Sequence, residues 1–267
     1  HLKNIINDIN FSEHIRLYEN KKLANIVLDN LTNLKKTNVQ LFFDEDFTTN
    51  KVNYNSIWPF INKKTYNKLN LENKLIKTYN LDSEKFIVDN KNKIIKFRNK
   101  NILIDNTIYI SERFKNYKLV IMPNSNINFI KNGKLIINSN VLFDGTVDQK
   151  IQVRSKTKNA IIIFFGKENI IKHSNFSDFN INDRLKNYFL TSPITFYNTD
   201  VKIYNTNFDN FKSEDQINII NSQFEIVNSN FFNSKSDAVD IDSGNGKIKN
   251  INFKNCGNDC LDFSHTN

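Results

Sequence analysis

The feature that most constrains this chain is a repeat of 22 to 23 residues in its C-terminal part. Aligning residues 194–215, 217–237 and 239–259 places apolar residues over apolar residues. A unit this short cannot bury its own apolar face, so several units must stack to form one core. The recurring positions are Ile194/Phe196, Ile217/Ile219, Val239/Ile241 and Leu261/Phe263, then Ile203/Ile226/Ile248, then Phe208/Phe231/Phe253.

Within each unit the apolar residues alternate with polar ones, as in the segments "AVDID", "INFKN" and "VKIYN". Alternation at a period of two predicts short strands with one buried face. About three such strands fit in a unit, separated by Asn, Gly, Ser or Asp turns. The pattern therefore predicts an all-β fold, a parallel β-helix. We expect the right-handed form, because parallel connections are right-handed in nearly all proteins.

Asn is strongly enriched, at 49 of 267 residues, and it follows the repeat. Asn side chains can bond to one another along the axis and satisfy backbone groups at bends. We interpret the first of three Asn columns as a structural ladder. The columns are Asn205/Asn228/Asn250, Asn207/Asn230/Asn252 and Asn210/Asn233/Asn255.

The predicted β-helix covers residues 86–267. Residues 162–176 match residues 194–208, but at a spacing of 32, so we interpret residues 180–193 as a loop excursion. Residues 1–85 have partly helical spacing and a short possible strand in "LFFDEDFTT", and we expect them to hold the tail of a preceding domain or a cap. Because the chain begins with His1 and ends inside a repeat, we expect it to be a piece truncated at its C-terminus.

The net charge is +9, which suits a polyanionic partner, although a Lys-rich and Asn-rich proteome bias explains it as well. No Arg-rich or RNA-binding signature is present, so no nucleic-acid partner is expected. No apolar run reaches the ~20 residues of a membrane span. Against this background, residues 213–262 carry eight acids and four Lys, a net charge of −4.

The strand register places these acids on one face. Val239 and Ile241 face inward, so Asp240 and Asp242 face outward, and Asp262 lies 22 residues after Asp240. Asp240 and Asp262 should therefore stack on adjacent coils about 4.8 Å apart, with Asn218 on the coil before. A second column, Asp215/Asp237/Asp259, opens the same strands.

Stacked like charges are destabilising, and three arrangements relieve the repulsion. Asp240, Asp242 and Asp262 could bind Ca²⁺, which prefers carboxylate oxygens. One acid could hold a proton because its neighbour raises its pKa. The side chains could also splay into water, with the turn residues capping backbone N–H groups.

The two cysteines, Cys256 and Cys260, are too few for a zinc site without clustered His. We expect free thiols, and a local disulfide is the alternative.

The segment 213–264, with "SEDQINII", "KSDAVDID" and "NCGNDCLDFS", resembles the right-handed parallel β-helix superfamily of pectin-lyase-like proteins. More narrowly, it resembles uncharacterised bacterial β-helix repeat proteins, some of which follow a spore-coat-H-like kinase domain. This resemblance implies the fold and an exported, surface or periplasmic location. The narrow group implies no activity.

A partial similarity links "KSDA" and "GNDC" to the acid motifs of polygalacturonases, which are β-helix hydrolases. It implies catalytic roles for Asp237 and Asp259, with Asn258 standing where that family has a third acid. The candidate substrate-binding residues are Asn258 in this motif together with Asp240, Asp262 and Asn218, which the strand register places on the acidic face.

Three functions are consistent with these observations. The favoured one is a polysaccharide-binding β-helix, with Ca²⁺ on the acidic face. The second is a polysaccharide hydrolase or lyase that uses the Asp cluster. The third is a structural stalk or adhesin. Tyr197, Phe211 and Phe232 are candidates for stacking on sugars.

Overall fold

The computed structural model describes residues 15–16, 41–42, 81–181 and 190–264. By its internal contacts the chain divides into residues 1–66 and residues 67–267. In the first unit, β1 (Ile15–Arg16) pairs in parallel with β2 (Leu41–Phe42). The strand β2 confirms the one expected in "LFFDEDFTT", whereas the predicted helical spacing of residues 2–34 falls almost wholly outside the described residues.

The second unit is a parallel β-solenoid of the right-handed type, as the repeat predicts. Its strands are four to six residues long, and most of them are joined by short turns. In chain order they are β3 (Phe86–Asp89), β4 (Ile94–Phe97), β5 (Asn101–Ile104), β6 (Thr107–Ile110), β7 (Lys118–Ile121), β8 (Asn126–Phe129), β9 (Lys134–Ile137), β10 (Asn140–Asp144), β11 (Ile151–Ser155), β12 (Ile161–Phe164), β13 (Glu168–Lys172), β14 (Ser174–Ser177), β15 (Ile194–Tyr197), β16 (Asp200–Tyr204), β17 (Asn207–Phe211), β18 (Asp215–Ile220), β19 (Gln223–Val227), β20 (Asn230–Ser234), β21 (Asp237–Asp242), β22 (Asn245–Lys249), β23 (Asn252–Cys256) and β24 (Leu261–Ser264).

Each coil contributes one strand to each of three sheets, and the described strands make seven coils. Sheet 1 runs β3, β4, β7, β10, β13, β16, β19, β22. Sheet 2 runs β5, β8, β11, β14, β17, β20, β23. Sheet 3 runs β6, β9, β12, β15, β18, β21, β24. All neighbours are parallel except β3 and β4, whose antiparallel pairing gives sheet 1 a reversed strand at its N-terminal edge.

The interior is a set of stacked apolar columns. The ring of Phe231 lies parallel to that of Phe208, with centroids 4.8 Å apart, and is followed by Phe253 at 5.5 Å. Phe164 and Phe196 stack in the same way at 4.6 Å. These columns confirm the inward positions predicted for Phe196, Phe208 and Phe231, whereas Phe263 on the last described strand is 47% exposed.

The spacing of 32 residues between residues 162–176 and residues 194–208 is also confirmed. Ile162 pairs with Ile194 and Phe176 pairs with Phe208, each 32 residues apart, so the surplus lies outside the sheets. The excess falls between β14 and β15, where the sequence predicts an excursion over residues 180–193. Residues 182–189 of that excursion lie outside the described part.

Asn residues make the sharp bends. Asn205, Asn228 and Asn250 have φ between 50° and 55°, in the left-handed region that Asn tolerates better than most residues. The Asn250 amide donates to Asn228 Oδ1 at 3.0 Å, as expected for the ladder. The column of Asn210, Asn233 and Asn255 has the same conformation, and Asn255 donates to Asn233 at 2.8 Å.

A longer amide column, only partly foreseen, runs along sheet 2. Outward carboxamides occupy the same register position on all seven of its strands, and four bonds of 2.6–3.2 Å join them. Side-chain bonds thus reinforce the backbone ladder along the axis. The column consists of Asn101, Asn126, Gln152, Asn175, Asn207, Asn230 and Asn252.

Helix is scarce in the described residues, where the one helical element is a 3₁₀ turn at Glu112–Phe114. Accordingly, no described helix has the length and apolar character needed to cross a bilayer.

Candidate functional site

The outward side of sheet 3 carries the predicted acids on its last three strands. Ile217, Val239 and Leu261 occupy the inward column of β18, β21 and β24. One residue later, Asn218 pairs with Asp240, and Asp240 pairs with Asp262. The structure therefore confirms the predicted stack.

We name the group formed by Asn218, Asp240, Asp242 and Asp262 the acidic strip. Within it, the Asn218 amide nitrogen donates to Asp240 Oδ2 at 2.5 Å and to Asp242 Oδ2 at 3.4 Å. One amide therefore draws two carboxyl groups together. Asn218 is fully buried, and its Oδ1 has no hydrogen-bond partner among the described residues.

The strip is more buried than an outward position normally is. Asp242 is 7% exposed, Asp240 is half-buried, and the flanking Ala238 is fully buried. Free splaying of the acids into water, one of the three predicted arrangements, is therefore wrong for Asp240 and Asp242. The alternation of the sequence correctly gives the direction of the side chains but not their exposure.

Burial, followed by the negative charges of Asp242 and Asp262, raises the pKa of Asp240 to about 8, while the bond from Asn218 acts in the opposite direction. A pKa in this range favours the protonated form of the Asp240 carboxyl at neutral pH. This is the second of the three arrangements predicted from the sequence, in which one acid of a stacked group is protonated.

Asp215 lies on the same face and is 2% exposed. Its pKa is raised well above the ordinary value, first by burial and then by the charge of Asp240. The sequence interpretation placed Asp215 in a turn column and missed its burial and its link to Asp240. No local sequence signal marks either property.

Asp237 and Asn258 are engaged in holding a turn. Asp237 Oδ1 accepts the backbone N–H of Asp259 at 2.9 Å, the Asn258 amide at 2.9 Å and the Ser236 hydroxyl at 3.3 Å. Asn258 also donates to Asp259 Oδ2 at 3.3 Å. These bonds match the capping alternative for Asp237. The exposed Asp259 lies next to this turn rather than in the acidic strip.

The structure does not bring the predicted calcium ligands into one cage. Asp240 aligns with Asp262, but Asp242 aligns with Ser264. Among the described residues, no group of three or more His, Cys, Asp or Glu side chains is arranged to hold a metal ion. The calcium site at Asp240, Asp242 and Asp262 stays a prediction.

Cys256 and Cys260 form a disulfide, so the expectation of free thiols is wrong. Cys256 ends β23 and Cys260 precedes β24, so the bond closes the turn that carries Asn258 and Asp259. Gly257 fits this turn because a Cβ there would lie 2.0 Å from the Lys235 carbonyl oxygen. A four-residue spacing permits a disulfide but does not require one, and the turn conformation decides.

The aromatic candidates for sugar stacking separate into two kinds. Phe211 is 1% exposed and stacks on Phe179 at 5.3 Å, so it belongs to the core. Tyr197 and Phe232 are half-buried, and Tyr197 packs edge-on against Phe165 at 6.0 Å.

Comparisons with known proteins give no family. No protein-family model matches the chain, and neither curated proteins nor solved structures contain a match. Any functional assignment therefore depends on the geometry of this chain alone.

Proposed function

We propose that this chain is an exported or surface-associated β-solenoid that binds a polysaccharide along the acidic strip. The observation that carries the proposal is the stack of Asn218, Asp240 and Asp262 on three successive coils, in which the Asp240 carboxyl accepts the Asn218 amide and has a raised pKa because of burial and the neighbouring acids. Asp240 accepts its bond from a side chain on the adjacent coil, whereas Asp237 accepts the backbone N–H of Asp259 in the turn of the next coil. Strongly perturbed carboxyl groups of this kind concentrate at functional sites.

The chemistry of the strip suits sugar hydroxyls. A protonated carboxyl donates and accepts, and a carboxylate accepts. These groups recur at the spacing of the coils, about 4.8 Å, along a straight axis. A repetitive linear polymer can therefore be bound by the same type of contact on successive coils.

Two further observations support the finer parts of the proposal. The disulfide between Cys256 and Cys260 favours an oxidising compartment, which supports export. The parallel coils, together with the motifs of residues 213–264, support kinship with the pectin-lyase-like β-helix superfamily.

The experiment is retention of the protein on a panel of acidic and neutral polysaccharides, with Ca²⁺ or with chelator. Asp240→Asn and Asp262→Asn should each weaken retention at least threefold. Asp148→Asn, which removes an exposed loop carboxyl, should bind like the parent. Equal retention of all four proteins would overturn the proposal, and so would no retention of any.

A second candidate function is cleavage of the bound polymer as a hydrolase or lyase. It is favoured by the two stacked carboxyl groups of Asp240 and Asp262 on one face, since glycoside hydrolysis needs an acid and a base. Asp240 holds the proton that such an acid would donate. The pair implied by the polygalacturonase similarity, Asp237 and Asp259, is less suited, because the Asp237 carboxylate is engaged by the backbone N–H of Asp259 in the turn of the next coil. New reducing or unsaturated ends in the retention experiment would establish this function.

A further inference from the structure

A groove of about 480 Å³ lies along the turns that connect strands of sheet 3 to strands of sheet 1. It crosses four successive turns, those after β12, β15, β18 and β21. We propose that this groove is a second binding site, for a linear glycan without charged groups. This inference rests on the proposed function only for the class of ligand, a polysaccharide, because the residues that line the groove are not those of the acidic strip.

The floor of the groove is rigid. Thr199 and Ser222 are buried at its base, at 4% and 6% exposure. The Thr199 N–H donates to Ser222 Oγ at 3.0 Å, and Ser222 Oγ donates to the Ile220 carbonyl at 2.6 Å. The Thr199 hydroxyl donates to the Gly166 carbonyl. Since both hydroxyls are already hydrogen-bonded to the backbone, the residues of the groove walls must supply the contacts to a ligand.

One wall consists of stacked residues in the left-handed conformation, Asn198, Asn221 and Ser243, with φ between 44° and 53°. The Asn221 amide nitrogen donates to Asn198 Oδ1 at 3.2 Å, which fixes both planes. A fixed carboxamide offers a donor and an acceptor side by side. That arrangement suits two adjacent sugar hydroxyls.

The opposite wall is formed by the first residues of three sheet 1 strands, Asp200, Gln223 and Asn245. All three are exposed, and Gln223 pairs with Asn245 in the parallel register. The two walls therefore present polar side chains coil by coil. A polymer that lies along the solenoid axis would meet the same set of groups at each step.

The charge of the groove selects the ligand class. Lys167 and Asp200 are its two charged residues, of opposite sign, and the remaining lining residues are hydroxyls and amides. A groove with no net charge, in a chain of net charge +9, provides no excess attraction for a uronate or a phosphate polymer. It favours a ligand that is recognised by its hydroxyl groups.

The test is electrophoretic retardation in native gels that contain a linear β-glucan, a mannan or polygalacturonate. Asn221→Gly removes a wall amide but keeps a residue that adopts positive φ easily. Asn228→Gly is the matched control. Asn228 lies in the same coil but outside the groove, at the turn between sheets 1 and 2. Its φ is 52°, and its side chain accepts a hydrogen bond from the Asn250 amide. Gln223→Ala removes an exposed wall amide.

The inference predicts that a neutral glycan retards the parent and Asn228→Gly equally. Asn221→Gly and Gln223→Ala should bind about threefold to tenfold more weakly, as for the loss of one or two hydrogen bonds. Equal retardation of all four proteins would overturn the inference. Retardation by polygalacturonate alone, if it is lost in Asp240→Asn, would overturn the groove inference but support the proposed function. No retardation in any gel would overturn both.

Discussion

Asn218 donates a hydrogen bond of 2.5 Å to Asp240 on the adjacent coil, and the same amide nitrogen lies 3.4 Å from Asp242 Oδ2. This contact gathers two carboxyl groups on the outward side of a strand whose other side fills the core. Repulsion between the gathered acids is relieved by a proton, since the pKa of Asp240 rises to about 8.

The first prediction concerns pH. The folded chain binds more protons than the unfolded chain between the ordinary Asp pKa of 3.8 and about 8, so stability must fall as pH rises through this window. Asp215, whose pKa is also raised, acts in the same direction. Thermal melts at steps from pH 5 to pH 9 should show this fall in the parent, and a smaller fall in Asp240→Asn.

Between pH 5 and pH 9, the free energy of unfolding should fall less in Asp240→Asn than in the parent, by on the order of 1–3 kcal/mol. Asp148→Asn serves as the control and should follow the parent, because its carboxyl is exposed. Parallel curves for the parent and Asp240→Asn would show that Asp240 ionises normally.

The second prediction concerns the core. Phe231→Ala removes a ring held between Phe208 and Phe253, and it should cost about 3–5 kcal/mol. Phe232→Ala removes the neighbouring, half-buried ring from the outward side of β20 and should cost clearly less. Denaturant unfolding of both variants would measure the difference, and similar losses would contradict the inward assignment of Phe231.

How far the sequence predicts the fold is clearest in these columns. Phe208, Phe231 and Phe253 repeat every 22 to 23 residues, so the strand register follows from the sequence alone. The stack of Asn218, Asp240 and Asp262 was predictable for the same reason, because each lies one residue after an inward position. A sequence repeat therefore indicates both how neighbouring strands align and which side chains point inward or outward.

Other parts of the site were not predictable. The contact between Asn218 and Asp242 depends on the orientation of one amide, and the burial of Asp215 depends on three-dimensional surroundings. The groove is formed by turns of four coils, where apolar alternation carries no information. Disulfide formation by Cys256 depends on the conformation of a turn, which spacing does not determine.

The third prediction concerns the bends. Asn233 has φ of 53°, donates to Asp209 at 2.8 Å and accepts from Asn255 at 2.8 Å. Asn233→Gly and Asn233→Ala both lose these bonds, but only Ala adds the strain of a left-handed residue, about 1–2 kcal/mol. The Ala variant should therefore unfold at lower denaturant than the Gly variant. The reverse order would contradict the assigned backbone conformation.

The fourth prediction concerns the disulfide. Reduction of the bond between Cys256 and Cys260 should lower stability by about 2 kcal/mol, the amount expected for a short closed loop. Melting with and without reductant measures the effect, and the Cys256→Ser/Cys260→Ser variant should melt like the reduced parent and ignore reductant. A thiol assay that finds two free thiols in the unreduced, unfolded protein would contradict the bond.

The central claim is that the acidic strip binds a polysaccharide, and calorimetric titration with the polymer retained most strongly tests it most directly. Parent and Asp148→Asn should bind with the same affinity, while Asp240→Asn should bind at least threefold more weakly although its shape is nearly unchanged. Equal affinities for the parent and Asp240→Asn would show that the strip does not contribute to binding and would contradict the proposed function.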